Sequence, residues 1–99
     1  MFEAIILDDK DNVATAVRNL KEGEKVRMSV KGWKKLEVQL KEEIPFGHKF
    51  AIRRIEKGDE IIKYGELIGK ATKTINAGEY VHIHNVESTR GRGDWSSNR

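Results

Sequence analysis

From Gly47 to Val86 this 99-residue chain alternates short apolar stretches with glycine- and aspartate-bearing corners only a few residues apart. Phe50 to Ile55, Glu60 to Tyr64, Leu67-Ile68 and Tyr80 to Val86 read as strands. Between them lie the corners Gly47-His48-Lys49, Glu56-Lys57-Gly58-Asp59 and Asn76-Ala77-Gly78-Glu79. Many short strands with glycine-marked corners favour a mainly β domain of the barrel-like kind. A doubly wound parallel sheet does not fit.

The N-terminal half carries more than one period. Phe2 to Leu7 reads as a first strand, ended by the polar corner Asp8-Asp9-Lys10-Asp11. Val13, Val17 and Leu20 then recur at spacings of four and three, which predicts one short helix capped by Asp11 or Asn12 and stopped near Gly23. Val26, Met28 and Val30 alternate with charged and polar residues, and Leu36, Val38 and Leu40 do the same. Val26 to Leu40 is therefore expected to be a two-stranded unit connected through Lys31-Gly32-Trp33.

A chain this short buries only about 60–65% of its extended surface on folding, enough for one small core but not two separate ones. Lys and Arg number 19 against 16 Asp and Glu, a net charge of +3. Arg90, Arg92 and Arg99 against Asp94 place most of that excess in the last residues. The body interleaves both signs, a poor match to the concentrated basic face of a nucleic-acid binder. The absence of cysteine excludes disulfides and thiolate metal sites. The start MFEAIILDD lacks a basic signal-peptide region, and no apolar run reaches membrane length, so a cytoplasmic protein without membrane contact is expected. The domain is expected over residues 1–87. Residues 88–99, STRGRGDWSSNR, are expected to be a flexible polar, Arg-containing tail, the alternative being an arm that orders on a partner with Trp95 as its apolar anchor.

Chemistry concentrates at a few positions. His82 and His84 stand at i and i+2, so in a strand both imidazoles face the same side, where a metal ion, an anionic substrate, solvent or another subunit would meet them. Spacing alone does not choose among these. His48-Lys49 follows a glycine at a corner, a place for a titratable imidazole beside a fixed positive charge, or simply for a solvated turn. Alternation sets Arg53 on the face of Lys49. Tyr64-Gly65-Glu66 and Ile68-Gly69-Lys70 are further corners.

Four ordered blocks together resemble one known family. They are Asp11-Asn12-Val13-Ala14-Thr15-Ala16, Gly47-His48-Lys49-Phe50-Ala51, Lys63-Tyr64-Gly65 with Ile68-Gly69-Lys70-Ala71-Thr72, and Gly78 through Val86 with its HIHN core. The pattern is similar to the small N-terminal region of altronate and galactarate dehydratases, the SAF-type domain, over Asp11 to Glu87. That resemblance implies a compact β-clip domain accompanying a larger catalytic part, in some relatives on a separate polypeptide. It also implies removal of water from a sugar acid with a divalent metal, Fe2+ or Mn2+. Carried over by motif, His48, Lys49, His82 and His84 are the catalytic candidates. Lys49, Arg53, Tyr64 and Asn85 are the substrate-contact candidates, and His82 and His84 the metal ligands. The expected partners are a large dehydratase-like subunit, a small sugar acid and, for self-association, a second copy of the chain; nucleic acid and membrane are not expected. The small subunit of a sulfolactate sulfo-lyase is also similar, and a non-catalytic module binding a carbohydrate or acidic metabolite is the reading outside enzymes.

Overall fold

A computed structural model describes residues 3–30 and 34–88. It has nine strands: β1 (Ala4–Ile5), β2 (Val13–Ala16), β3 (Lys25–Val30), β4 (Lys34–Gln39), β5 (Lys49–Ala51), β6 (Glu60–Lys63), β7 (Glu66–Ala71), β8 (Tyr80–Val81) and β9 (Val86–Ser88). They form a four-stranded sheet in the order β1-β2-β5-β8, the hairpin β3-β4, and a three-stranded sheet in the order β6-β7-β9. Every pairing is antiparallel. The mainly β architecture and the Val26–Leu40 two-stranded unit are as expected from the sequence.

The short helix is not. Among the described residues there is none, and Val13–Ala16 is instead a strand held between β1 and β5. Val13 and Leu20 are buried but Val17 is exposed, so the three residues do not share one buried face. Asp11 and Asn12, the expected helix caps, serve long-range contacts. Asn12 donates to the Glu60 carbonyl and accepts from the Ile62 amide. The buried Asp11 carboxylate accepts from the amides of Leu7, Asp8 and Gly65. These bonds tie the β1-β2 corner to the β6-β7 hairpin. The connection at Gly32 and Trp33 and most of the expected tail lie outside the described residues, while Ser88 belongs to β9.

One turn recurs four times. Lys21–Glu24, Pro45–His48, Glu56–Asp59 and Asn76–Glu79 are each closed by an amide of the last residue donating to the carbonyl of the first. Each has glycine third, with φ between +83° and +91° at Gly23, Gly47, Gly58 and Gly78. Only glycine enters that region without steric cost, which gives a type II turn. The residue before each turn, Leu20, Ile44, Ile55 or Ile75, is buried, and these four pair as bridges, Leu20 with Ile44 and Ile55 with Ile75. The glycine amides also bind carbonyls of Leu40, Ala16, Ala71 and Ala51, so each turn is clipped onto a neighbouring segment.

The apolar residues form two clusters. One gathers Ile6, Leu20, Val26, Met28, Leu40, Ile44 and Phe50, with Tyr80 packed on its edge; the other gathers Val13, Ile55, Ile61, Ile75 and Val81. The four-stranded sheet contributes to both, since Phe50 and Val81 from neighbouring strands point into different clusters.

Candidate functional site

The β5-β8 register builds the site. Lys49 pairs with Val81 and Phe50 with Tyr80, so continuing the two chains outward brings His48, just before β5, across from His82, just after β8. Their rings lie 5.2 Å apart.

His48 is the exception among the four repeated turns. In the other three, the last residue is Glu24, Asp59 or Glu79, and its carboxylate accepts from the amide of the first residue at 2.6, 3.0 and 2.7 Å. In the fourth, the first residue is Pro45, which has no amide hydrogen to satisfy. A carboxylate has no turn-closing task there, and the position carries an imidazole. Pro45 and His48 depart together from the repeat, which frees the His48 side chain from structural duty.

That side chain meets Tyr80. The phenol oxygen lies 2.5 Å from His48 Nδ1, and the two rings meet edge to face at 5.6 Å. Tyr80 also stacks on His82, with ring centroids 5.4 Å apart and planes 10° from parallel, and lies 5.8 Å from His84. Tyr80 is thus the common neighbour of all three histidines. From the sequence it stands only at the head of an expected strand, not among the site candidates. Its signal was present: Tyr80 precedes His82 and His84 at the same two-residue step.

His82 and His84 do not lie in a continuous strand, as the expected Tyr80–Val86 strand would have them. β8 ends at Val81, and His82–Asn85 is a turn closed by the Asn85 amide on the His82 carbonyl. The Asn85 side chain fixes this turn from inside, accepting from the His82 amide at 2.9 Å and donating to the Tyr80 carbonyl at 2.7 Å. Asn85 is buried, and both ends of its amide are engaged by the backbone. The structure places it beneath the histidines as their scaffold.

Lys49 is half-buried at the head of a groove of about 310 Å³ lined by Ile68, Val81, His82, Ile83, Val86 and Ser88. Among the described residues no carboxylate forms an ion pair with it. Burial, and then repulsion from Lys63, pushes its ammonium below the ordinary lysine value. His82 is likewise held below the ordinary histidine value, by burial first and then by the positive charges of His48, Lys49 and His84. A half-buried cation in a mainly apolar groove beside the His82 imidazole is an arrangement that an incoming carboxylate relieves.

The remaining candidates make other contacts. Arg53 lies beyond the end of β5, so alternation does not carry it onto the face of Lys49, and its guanidinium donates to the Asp11 carbonyl at 2.7 Å. Tyr64 forms the β6-β7 hairpin turn with Gly65, both at positive φ, and its ring lies 5.0 Å from the Lys63 ammonium. As for a metal, among the described residues no group of three His, Cys, Asp or Glu side chains is placed to hold one. His82 and His84 flank the Tyr80 ring, and two imidazoles do not fill a coordination sphere. This chain's described residues do not by themselves fit a resident metal.

Comparison with known proteins resolves the family. Residues 2–89 match the altronate/galactarate dehydratase SAF domain. The chain belongs to that family. Its relatives include the altronate dehydratase of Bacillus subtilis (strain 168), 37% identical over 88 residues, and that of Escherichia coli (strain K12), 42% identical over 78 residues. These matches cover 89% and 79% of this chain but only 17% and 15% of the two relatives, so the chain spans about a sixth of their length. The subunit alpha of (2R)-sulfolactate sulfo-lyase from Chromohalobacter salexigens is 34% identical over 94 residues, covering 90% of this chain and 97% of that subunit. The SAF-domain chain is therefore similar both to a segment of long dehydratases and to the whole of a separate lyase subunit. No helix among the described residues is long and apolar enough to cross a membrane.

Proposed function

We propose that this chain is the small subunit of a two-component lyase that removes water from a sugar acid of the altronate or galactarate type, giving a 2-keto-3-deoxy acid. The small-subunit part of this reading is carried by the match along 97% of a sulfolactate sulfo-lyase subunit alpha, and the dehydration part by 37% and 42% identity to altronate dehydratases, joined to a cluster of His48, Lys49, Tyr80, His82 and His84 that supplies a cation and donors. Lys49 receives the substrate carboxylate in the groove, where desolvation strengthens the charge-assisted bond. His48 and His82 face the substrate oxygens beside it. The proton next to the carboxylate leaves to a base, and the hydroxyl on the next carbon departs. We assign the base to the larger chain. Fe2+ or Mn2+, implied by the family resemblance, belongs there too, because three ligating side chains do not converge among the described residues of this one. Such an ion would supply Lewis-acid stabilisation of enolate charge.

The same face presents apolar contacts for that larger chain. Phe46, within the turn that ends at His48, is 66% exposed, and Ile83, between His82 and His84, is 84% exposed. Large exposed apolar side chains next to His48, His82 and His84 in the chain suit an interface around the site.

Elimination of sulfite from sulfolactate is the second reading, favoured by the coverage of 97% of the sulfo-lyase subunit alpha. The test is to purify the chain with its bound partners from native extract and assay the eluate on altronate, galactarate and sulfolactate with iron and with manganese. Recovery of a large lyase-like chain and formation of a keto-deoxy acid supports the dehydratase; release of sulfite supports the second reading. A solitary chain that binds an acid without turnover identifies a binding module and refutes both.

A further inference from the structure

The hydrogen bond between Tyr80 and His48 has a direction, and the direction limits what His48 can do. A phenol has one proton to donate, and its oxygen is a weak acceptor because a lone pair is shared with the ring. A bare imidazole nitrogen is a strong acceptor. Among the described residues the Tyr80 hydroxyl has no hydrogen-bond partner other than His48 Nδ1. The Tyr80 proton therefore points at Nδ1, and a neutral His48 carries its own proton on Nε2. Nε2 has no partner among the described residues, so it is available to a ligand. A histidine that acts as a base requires the opposite arrangement, with Nδ1–H held by an acceptor, commonly a carboxylate, and Nε2 bare. In the three sister turns a carboxylate stands at this position; here the repeat supplies neither it nor any other carboxylate to His48.

We propose that Tyr80 is a positioning residue that locks His48 in its Nε2–H tautomer, so that His48 offers the substrate a neutral N–H donor and not a proton acceptor. For the acid substrate this places an N–H beside the Lys49 ammonium, where negative charge gathers on oxygen as the neighbouring proton leaves. The stacking of Tyr80 on His82 and its contact with His84 hold the phenol in place for this task. The tautomer is inferred from the Tyr80–His48 contact and the acceptor strengths of the two groups; its use in catalysis rests on the lyase reading above.

The tautomer is read directly by long-range proton–nitrogen correlation spectra of the imidazole rings in the full 99-residue chain. They are recorded at about pH 8, where imidazoles are neutral, with His48 assigned from the His48→Asn variant. The expected result is a protonated Nε2 and a bare Nδ1 at His48, moving toward the mixed pattern of a free imidazole in Tyr80→Phe while His84 is unchanged. A protonated Nδ1 in the wild-type chain, or a His48 signature indifferent to Tyr80→Phe, overturns the inference. With the assembled lyase, Tyr80→Phe is expected to lower kcat about tenfold or more and leave KM within about twofold, since the donor is needed most as charge develops. An unchanged kcat removes Tyr80 from catalytic positioning. Absence of any turnover by the wild-type assembly counts against the lyase reading and leaves the spectroscopic result to decide the tautomer.

Discussion

The side chains at the candidate site repel one another, and that repulsion has a measurable consequence. His82 titrates below the ordinary histidine value because burial, then His48, Lys49 and His84, disfavour its charged form; Tyr80, stacked on it, offers no countercharge. A base whose folded value is lowered binds fewer protons when folded than when unfolded. Its stabilising contribution is therefore complete above about pH 6.5, the unfolded histidine value, and is lost as pH falls through the lowered folded value. Glu24 and Glu56 are also lowered, by their partners Arg18 and Arg54, but they act further down, below the ordinary carboxylate value. Thermal melts of wild type and His82→Asn should differ little near neutrality, with wild type losing ground as pH drops to about 5. Parallel curves would remove the strained-histidine account. At this scale the sequence named His48, Lys49, His82 and His84 from corner position and alternation, and the structure draws those four into one cluster. It did not show that Asn85 holds a turn, because alternation carried one strand from Tyr80 to Val86 through it, nor that Tyr80 stands at the centre, because its contact with His48 depends on pairing between β5 and β8, distant in sequence.

At the scale of elements, the repeated type II turn carries the architecture, and its glycines are not equivalent. Gly58 and Gly78 share the same positive φ, yet a Cβ on Gly58 meets nothing within 4 Å whereas one on Gly78 comes 2.2 Å from the Gln39 carbonyl oxygen. Gly58→Ala isolates the backbone strain, about 1–2 kcal/mol. Gly78→Ala adds a backbone clash between the turn before β8 and the end of β4, and should cost at least about 2 kcal/mol more. Urea denaturation of both variants checks this, and equal midpoints would show that the turn is not clipped against β4. Strand periods were legible in the six-residue β3 and β4, but not in the equally long β7, where Ile68-Gly69-Lys70 read as a corner and instead lies within the paired strand, Gly69 opposite both Ile61 and Ser88. They were misleading at Val13–Leu20, because a four-residue strand followed by a turn reproduces helical spacing by coincidence when one of three apolar residues is exposed. The repeat itself was written in the sequence as an apolar residue three positions before each glycine. Comparing its four copies singles out Pro45 and His48 without any structure.

At the scale of the whole molecule, the family was legible because its motif blocks coincide with the clipped turns and the site. What completes the site was not, and the proposed function assigns that to another chain. A match to nearly all of a lyase subunit, a cluster of three histidines with Lys49 and Tyr80, and exposed Phe46 and Ile83 next to it in the chain support one proposal, that this domain is half of an active site and presents it at an interface. Ile83→Asp should then weaken assembly with the large chain at least about tenfold without altering the melting temperature of the isolated domain, a desolvated charge at an interface costing more than a solvated one. Binding titrations against the large chain check this, and unchanged affinity would move the interface elsewhere.

The most direct test of the shared active site is turnover by the reconstituted two-chain complex carrying His48→Ala, with assembly confirmed by native mass spectrometry. The account predicts a complex of unchanged composition whose kcat/KM falls about a hundredfold, as when a hydrogen-bond donor at developing charge is lost. A correctly assembled complex with undiminished turnover would contradict it and reduce this chain to a structural companion of the enzyme.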